Sequence, residues 1–205
     1  MLIRVRAATK RFGNRLIFAD LSADFSAGTV SVVTGPSGCG KTTLLSCMSG
    51  ELDLDAGSVS WERAGGEPSA PKFDGVAWVP QRSQVLEHRT SLENVMVAGL
   101  AAGVSREVAA DEARLFLGSL GLAHIETVKA GRISGGERQR LCICRALATR
   151  RPILFADEPS ANLDARSAAD VVAALADLAD HGRTVVIATH DRAVEDIAEH
   201  SVVLR

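Results

Sequence analysis

The chain has 205 residues, of which 46% are hydrophobic, and its formal net charge is −2 at pH 7. A chain of this length can bury a substantial core in one large domain, or in a domain with a subdomain. The slight negative charge gives no electrostatic support for nucleic acid as a partner. No apolar run approaches the ~18 residues of a membrane span, and the start, MLIRVRAATKR, lacks the apolar core of a signal peptide. We therefore expect a protein that stays in the cytosol.

The first segments of the chain have strand-like patterns. Residues 2–7 alternate apolar and polar side chains and predict an edge strand, and a short second strand leads to Gly28. Residues 29–33 are mostly β-branched and apolar, which predicts a buried strand. A helix over residues 42–48 should end at Gly50.

The sequence TGPSGCGKTT, residues 34–43, joins this strand to this helix and contains G-x-x-x-x-G-K-[ST]. Glycines let consecutive N–H groups point into one concavity, and the helix N-terminus adds positive partial charge there. The pattern therefore predicts a phosphate-binding loop, in which Lys41 would reach the β- and γ-phosphates and Thr42 would bind Mg²⁺. The predicted nucleotide-binding residues of the loop are Gly35, Pro36, Ser37, Gly38, Cys39, Gly40, Lys41, Thr42 and Thr43.

Two further strands are predicted before residue 85. A turn at Ala56–Gly57 should precede a strand over Ser58–Trp61, and residues 62–75 are rich in Gly, Pro and charge, as is typical of a surface loop. Val76–Val79 then predicts a short buried strand that ends at Pro80–Gln81.

The pattern becomes helical from Thr90 onward. Thr90 and Glu93 have the spacing of a capping box, and Ser105 starts another helix. No strand-like run appears before about residue 150, which predicts a helical subdomain inserted into an α/β core. The predicted division is one domain of residues 1–205, with its core in residues 1–85 and 151–205 and the helical subdomain in about 86–150.

The sequence SGGE, Ser134–Glu137, opens the next predicted helix. S-x-x-E is a capping box, which would account for the local structure alone. Capping needs no double glycine, however, and a capped helix start with Gly135 and Gly136 exposes N–H groups to a phosphate. The two explanations are compatible, and the glycines favour the functional one.

Two acids follow an apolar strand, Ile153–Ala156. A helix over residues 165–181 and further strands follow, and this alternation predicts a mostly parallel sheet. Ligands in such sheets bind at the carboxyl ends of the strands. Asp157 is therefore placed to hold Mg²⁺, and Glu158 to orient or deprotonate an attacking water.

The four cysteines offer no zinc-knuckle spacing. Cys47, Cys142 and Cys144 are predicted to be small buried hydrophobic residues.

Together these residues resemble the ATP-binding cassette family, specifically the nucleotide-binding subunit of a transporter. The resemblance covers essentially the whole chain and rests on motifs in the family's order, which are Gly35–Thr42, Gln81, Ile133–Glu137, Asp157–Glu158, Ser160–Asp164 and His190. It implies a RecA-like P-loop NTPase core with an inserted helical subdomain and an N-terminal antiparallel β portion. It also implies ATP hydrolysis by two cassettes paired head to tail, each of which completes the other's ATP site.

The resemblance also implies roles for further residues. Phe12 would stack on adenine. Gln81 would touch Mg²⁺ and the attacking water and sense the membrane partner, and His190 would hold the γ-phosphate and help to polarise the water. The residues implied to serve the partner's nucleotide or the dimer interface are Ser134, Gly135, Gly136, Glu137 and Asp164.

Two departures from the family pattern are visible. The segment Ile133–Glu137, the signature motif of the family, reads ISGGE where the commonest form is LSGGQ. Glu137 therefore adds a negative charge near the partner's nucleotide. The stacking aromatic is Phe12, not the more usual Tyr, and stacking survives because the ring face makes the contact.

The leading hypothesis is an ATPase subunit, with ATP and Mg²⁺ as cofactors, that powers a separate integral-membrane permease from the cytoplasmic face. The short chain resembles the subgroup that serves lipoprotein-release, macrolide-export, haem-export and cell-division permeases, in which the cassette is a homodimer. One alternative is a soluble cassette ATPase that acts on DNA or ribosomes. Another is a P-loop kinase or GTPase, in which Ile133–Glu137 and His190 would have no function.

Overall fold

The computed structural model describes residues 1–161 and 163–204. Asn162, which belongs to the segment Ser160–Asp164 of the resemblance, and Arg205 lie outside the described residues. The strands are β1 Leu2–Phe12, β2 Arg15–Phe25, β3 Thr29–Thr34, β4 Ala56–Glu62, β5 Val76–Val79, β6 Ile153–Asp157, β7 Thr184–Ala188 and β8 His200–Val203. The α-helices are α1 Lys41–Ser49, α2 Ser91–Ala101, α3 Arg106–Ser119, α4 Gly135–Ala148, α5 Ala165–Asp180 and α6 Arg192–Glu195.

The N-terminal strands form an antiparallel sheet in the order β2-β1-β4. The prediction of an edge strand at residues 2–7 is wrong, because β1 pairs on both sides and extends to Phe12. The second strand, β2, has 11 residues and is not short. An alternating pattern identifies the buried face of a strand, here through Ile3 and Val5, but it does not reveal how many neighbours the strand has.

The turn predicted at Ala56–Gly57 is also wrong, because both residues lie in β4. Gly57 has a φ of +84°, and a Cβ on it would lie 2.4 Å from the carbonyl oxygens of Arg6 and Ala7. The pairing of β1 with β4 changes register between Arg6 and Thr9. Glycine is therefore required here by a bulge and a close approach of two backbones, not by a turn.

The second sheet is parallel, with the order β5-β6-β7-β3-β8, as the alternation of strands and helices predicts. All of its carboxyl ends lie on one edge. The segments that leave four neighbouring strands at that edge begin at Pro80 after β5, Glu158 after β6, Thr189 after β7 and Gly35 after β3. This arrangement brings together motifs that are up to about 150 residues apart in the sequence.

The parallel sheet is the middle layer of the molecule. Side chains such as Leu154 and Ala156 pack into one buried cluster with α4 and α5, whereas Ile153 and Phe155 pack into another with α1 and the antiparallel sheet. Because successive side chains of a strand point to opposite faces, the continuous apolar run of β6 fits a strand that is covered on both sides.

Residues 91–148 contain α2, α3 and α4, which pack on one another. Described residues between 85 and 150 form no strand, only an isolated bridge between Thr90 and Lys129. The capping boxes predicted at Thr90–Glu93 and at Ser134–Glu137 are both present with reciprocal hydrogen bonds. Among the described helices, none is long and apolar enough to cross a bilayer.

The prediction for three of the cysteines is confirmed. Cys47, Cys142 and Cys144 are buried, and all four thiols are free. Burial raises the pKa of the Cys47 thiol to about 11 and also raises the pKa of Cys142 and Cys144, so these three behave as small hydrophobic residues.

Candidate functional site

The loop between β3 and α1 has the backbone of an anion site. Gly35, Gly38 and Gly40 all have positive φ, and a Cβ on Gly40 would come within 2.4 Å of the side chain of Ile17. Helix α1 starts after Gly40 with no side-chain cap and no acidic residue in its first turn. Its first N–H groups are therefore left for another acceptor, and the helix dipole favours a negative one.

Lys41 and Thr42 start α1 and point to the carboxyl edge of the sheet. The ammonium of Lys41 donates to the carbonyl oxygen of Gly35 at 2.8 Å and lies 3.7 Å from a carboxylate oxygen of Glu158. The hydroxyl of Thr42 donates to Asp157 at 2.6 Å. A cation, a hydroxyl and two carboxylates therefore meet where the loop faces the end of β6.

Glu158 is fixed from three sides. Its φ is +47°, a conformation that L-residues adopt at a cost of roughly 1–2 kcal/mol. Its backbone N–H donates to the carbonyl of Ala188 at 2.7 Å, and the hydroxyl of Thr189 donates to one carboxylate oxygen at 3.1 Å. The other oxygen lies 2.9 Å from Nδ1 of His190, whose side chain is 74% exposed. The carboxylate of Glu158 is thus held in one orientation, and the exposed imidazole of His190 beside it is accessible to a ligand.

The environment of Asp157 is unfavourable for its own charge. Burial raises the pKa of Asp157, the hydrogen bond from Thr42 opposes this rise, and the nearby Glu158 adds to it, whereas the charge of Lys41 lowers the pKa. A cation bound beside Asp157 would stabilise the ionised form. The oxygen donors of Asp157 and Thr42 are those that Mg²⁺ prefers.

A cavity of about 390 Å³ opens above these groups. It is lined by Phe12, Arg15, Ile17, Ser37, Gly38, Gly40, Lys41, Thr42, Thr43, Gln81, Asp157 and Glu158. Pro36 and Cys39 line an adjoining cavity with Arg15, Ser37 and Gly38. A charged floor beneath an aromatic side chain is suited to a ligand with phosphates at one end and a flat ring at the other.

Phe12 ends β1 at the mouth of this cavity, and its ring is 50% exposed. The ammonium of Lys10 lies 5.5 Å from the ring centroid and is tethered by the carbonyl of Asp53 at 2.6 Å and the carboxylate of Asp55 at 3.4 Å. Lys10 therefore makes a cation–π contact with the ring. This half-exposed ring can still offer an aromatic face to a base.

The residues of the predicted signature motif, Ser134–Glu137, lie outside this cavity. None of Ser134–Glu137 lines the cavity. Ser134 caps α4: its N–H donates to the carboxylate of Glu137 at 2.8 Å, and its hydroxyl accepts from the N–H of Glu137 at 3.3 Å. A Cβ on Gly135 would meet no described residue within 4 Å, so packing against the described residues does not require glycine there.

Asp164, predicted at the dimer interface, caps helix α5. Its carboxylate accepts from the N–H of Ser167 at 2.9 Å and from the Ser167 hydroxyl at 2.8 Å. Arg140 of α4 donates to the same hydroxyl. The hydrogen bonds from Ser167 lower the pKa of Asp164. Nearby, the hydroxyl of Ser160 donates to Asp191 at 2.7 Å.

Three residues of this site were missed from the sequence. Thr189 is fully buried and holds Glu158, but a single hydroxyl at the end of a strand carries no sequence signal. Lys10 could have been found, since it lies two residues before Phe12 and residues i and i+2 of a strand share a face. Arg15 is opposite Phe12 in the register of β1 and β2 and also lines the cavity.

A profile of the ABC transporter family matches residues 18–161. Among curated relatives, the uncharacterized ABC transporter ATP-binding protein Rv0073 of Mycobacterium tuberculosis is 37% identical over 190 residues, covering 90% of this chain; the chain spans 58% of that relative's length. The lipoprotein-releasing system ATP-binding protein LolD of Bacteroides thetaiotaomicron is 35% identical over 208 residues, 98% of this chain and 95% of LolD.

Among solved structures, the dimeric ATP-binding cassette MJ0796, bound to ADP and phosphate after hydrolysis, superposes with a TM-score of 0.86 at 25% identity. The match covers 99% of this chain and 94% of that one. The fold class predicted from the sequence, an α/β P-loop NTPase fold, is confirmed by this likeness and by the two sheets. With the family profile covering most of the chain, and a phosphate loop facing Asp157 and Glu158, this chain belongs to the ABC transporter family and is an ATPase domain of that family.

Proposed function

We propose that this chain is the ATP-hydrolysing subunit that powers a separate membrane permease, as a pair of cassettes at the cytoplasmic face of the membrane. The observation that carries the proposal is the convergence of Lys41, Thr42, Asp157 and Glu158 in one cavity on a chain that is 35% identical to LolD over nearly its full length. LolD is named for lipoprotein release, and on that ground we propose an exporter-type or mechanotransmission-type complex.

ATP would bind with its phosphates on the loop and its base at Phe12. The N–H groups at the start of α1 and the ammonium of Lys41 would neutralise the phosphate charge, which requires that ammonium to leave the carbonyl of Gly35. Phe12 would stack on adenine. Ser37, Gly38, Gly40 and Thr43 already line the cavity, and Gly35, Pro36 and Cys39 would shape the loop around it.

Mg²⁺ fits the donor set at the base of the cavity. Thr42 and Asp157 would hold it and Gln81 would complete its surroundings; the Thr42 hydroxyl already lies 2.6 Å from a carboxylate oxygen. The ion would neutralise charge on the β- and γ-phosphates.

The water that attacks the γ-phosphate would be oriented and deprotonated by Glu158. His190, 2.9 Å from Glu158, would contact the γ-phosphate and polarise the water from its exposed ring. Gln81 would contact the same water. Thr189 keeps the Glu158 carboxylate aimed while these groups act.

The ATP site would be completed by a second cassette. Ser134, Gly135 and Gly136 would bind the γ-phosphate held by the partner, with Glu137 beside them and Asp164 linking the two sites across the interface. This proposal is supported by the open space at Gly135, where no contact with a described residue explains a glycine. The relative MJ0796 forms a dimer in its ADP- and phosphate-bound state.

We further propose the division of the chain into a core of residues 1–85 and 151–205 and a helical subdomain of about residues 86–150, which together form one ATPase domain. The packing of α2, α3 and α4 on one another supports this division. The soluble alternative, a cassette that acts on DNA or ribosomes, is not favoured by a net charge of −2.

Affinity purification from detergent-solubilised membranes tests this proposal. A tagged Glu158→Gln chain, loaded with Mg-ATP, should retain an integral-membrane chain, and adding that chain to wild-type protein should stimulate ATP turnover. Purification with ribosomes or DNA, and without a membrane chain, would contradict the proposal and support the soluble alternative.

A further inference from the structure

The segment that follows Gln81 is hydrogen-bonded first to α4 and then, from Leu86, to Asn94 of α2. Residues 80–85 make no backbone–backbone hydrogen bond with any described residue. Their hydrogen bonds instead go to α4. The hydroxyl of Ser83 donates to Oε1 of Gln139 at 2.6 Å. The carbonyl of Gln84 accepts from the guanidinium of Arg145 and from the thiol of Cys142 at 3.3 Å.

The three residues of α4 that make these contacts are spaced at i, i+3 and i+6, so they share a face of the helix. Gln139 is only 4% exposed, and its amide nitrogen has no hydrogen-bond partner among the described residues. Within the described part of the chain, its bond to Ser83 is therefore the polar interaction that offsets the cost of burying its amide. Because Gln139 is buried with its amide nitrogen unpaired, we infer that its hydrogen bond with Ser83 is a specific contact.

The position of this contact matters because Gln81 lies between two anchored elements. On one side β5 pairs with β6 up to Val79, and on the other Ser83 and Gln84 are bound to α4. Gln81 is exposed and lines the nucleotide cavity. Its place in that cavity therefore depends on where α4 lies relative to the parallel sheet.

We propose that Ser83, Gln139 and Arg145 are positioning residues that set the place of Gln81 in the nucleotide cavity. The same contacts tie Gln81 to the helix whose first residues are Ser134–Gly136. In a pair of cassettes, α4 would then act on both nucleotides. It would position Gln81 at the nucleotide of its own chain, and Ser134 at its start would contact the nucleotide of the partner. This inference rests on the proposed function, and specifically on the role of the second cassette.

The bond between Ser83 and Gln139 can be tested in the full chain by Ser83→Ala and Gln139→Leu. Because ATP is bound mainly through Lys41 and Phe12, the ATP affinity should stay within about twofold of wild type, whereas turnover at saturating Mg-ATP should fall roughly three- to tenfold, the range for one net hydrogen bond. The double variant should lose no more than either single variant, since both remove the same interaction. Ser83→Thr keeps the hydroxyl and should restore turnover.

A second measurement tests the connection to the partner's site. In a Glu158→Gln background, Ser83→Ala should raise several-fold the Mg-ATP concentration needed for half-maximal dimerisation, without changing ATP affinity. The matched control is Ser119→Ala, which removes a 3.0 Å hydroxyl–carbonyl bond at the exposed end of α3 and should change none of these values.

Several results would overturn the inference. One is a Ser83→Ala chain with the turnover of the Ser119→Ala control; another is a double variant whose loss is the product of the single losses. If Gln139→Leu does not fold, the comparison of Ser83→Ala with Ser83→Thr decides alone. A wild-type chain that turns over no ATP, with or without its membrane partner, would instead overturn the proposed function and this inference together.

Discussion

The position of Glu158 depends on contacts that lie outside its own motif. Its left-handed backbone is held by the carbonyl of Ala188, and its side chain by Thr189 and His190. These contacts join the ends of β6 and β7, so the two strands aim the carboxylate together. A residue held in this way is suited to a fixed role in orienting water.

We predict that Glu158→Gln binds ATP with the affinity of wild type and loses turnover by about 10²–10⁴-fold, the range for removal of a general base. The amide keeps the size of the side chain and can still accept from Thr189. Equilibrium binding and steady-state hydrolysis on the same preparation measure both quantities. Hydrolysis by Glu158→Gln at the wild-type rate would show that another group activates the water.

At Phe12, we predict that Phe12→Ala weakens ATP binding by about 1–3 kcal/mol, the range for stacking of a base on an aromatic ring. Lys10→Met should weaken ATP binding less, by roughly 0.5–1 kcal/mol, because it removes only the cation–π contact with the ring. Phe12→Tyr is the control and should be nearly neutral. A large loss in Phe12→Tyr would mean that the base does not stack on the face of this ring.

Among the secondary-structure elements, α4 combines a structural cap with a proposed phosphate contact. The carboxylate of Glu137 accepts from the N–H and the hydroxyl of Ser134, and these hydrogen bonds lower the pKa of Glu137 below its ordinary 4.5. A carboxyl whose pKa is lower in the folded state adds stability above its unfolded pKa. That stability is lost as the pH falls through the lowered value.

We predict that wild type loses stability relative to Glu137→Gln as the pH is lowered below about 4.5, where the wild-type carboxylate becomes protonated and the amide does not titrate. Urea unfolding of both proteins at a series of pH values gives the difference in unfolding free energy. A difference that is constant from neutral pH to pH 3 would contradict the role of Glu137 in the cap.

How far the sequence could predict these elements depended on whether the signal was local. The capping boxes of α2 and α4 and the acids at the end of β6 are local patterns, and the structure has them where they were predicted. The central place of β1 and the bulge at Gly57 depend on neighbouring strands, which alternation does not specify. The bond between Ser83 and Gln139 joins residues 56 positions apart, and no spacing rule could have paired them.

For the whole molecule, the parallel sheet collects four loops at one edge. The loops after β3, β5 and β6 line the cavity together with Phe12, Arg15 and Ile17 of the antiparallel sheet. Ser134–Gly136 lie outside this cavity, at the start of a helix in which a Cβ on Gly135 would meet none of the described residues within 4 Å. We propose that the sheet edge and the start of α4 are the two halves of an ATP site. The central claim is that each half is completed by the other half from a second cassette.

The most direct test of this claim is analytical ultracentrifugation of Glu158→Gln with and without Gly135→Asp, with ATP binding measured in parallel. Asp should be tolerated in the chain, because no residue of the described part lies within 4 Å of the added Cβ and an acid at a helix N-terminus is favourable. Gly118→Asp, which adds the same charge to α3 where a Cβ also meets nothing within 4 Å, is the matched control. We predict that Glu158→Gln and its Gly118→Asp control dimerise in saturating Mg-ATP and not in ADP, whereas Gly135→Asp, Glu158→Gln binds ATP and stays monomeric. A Gly135→Asp, Glu158→Gln protein that dimerises with ATP as well as its control would contradict the claim.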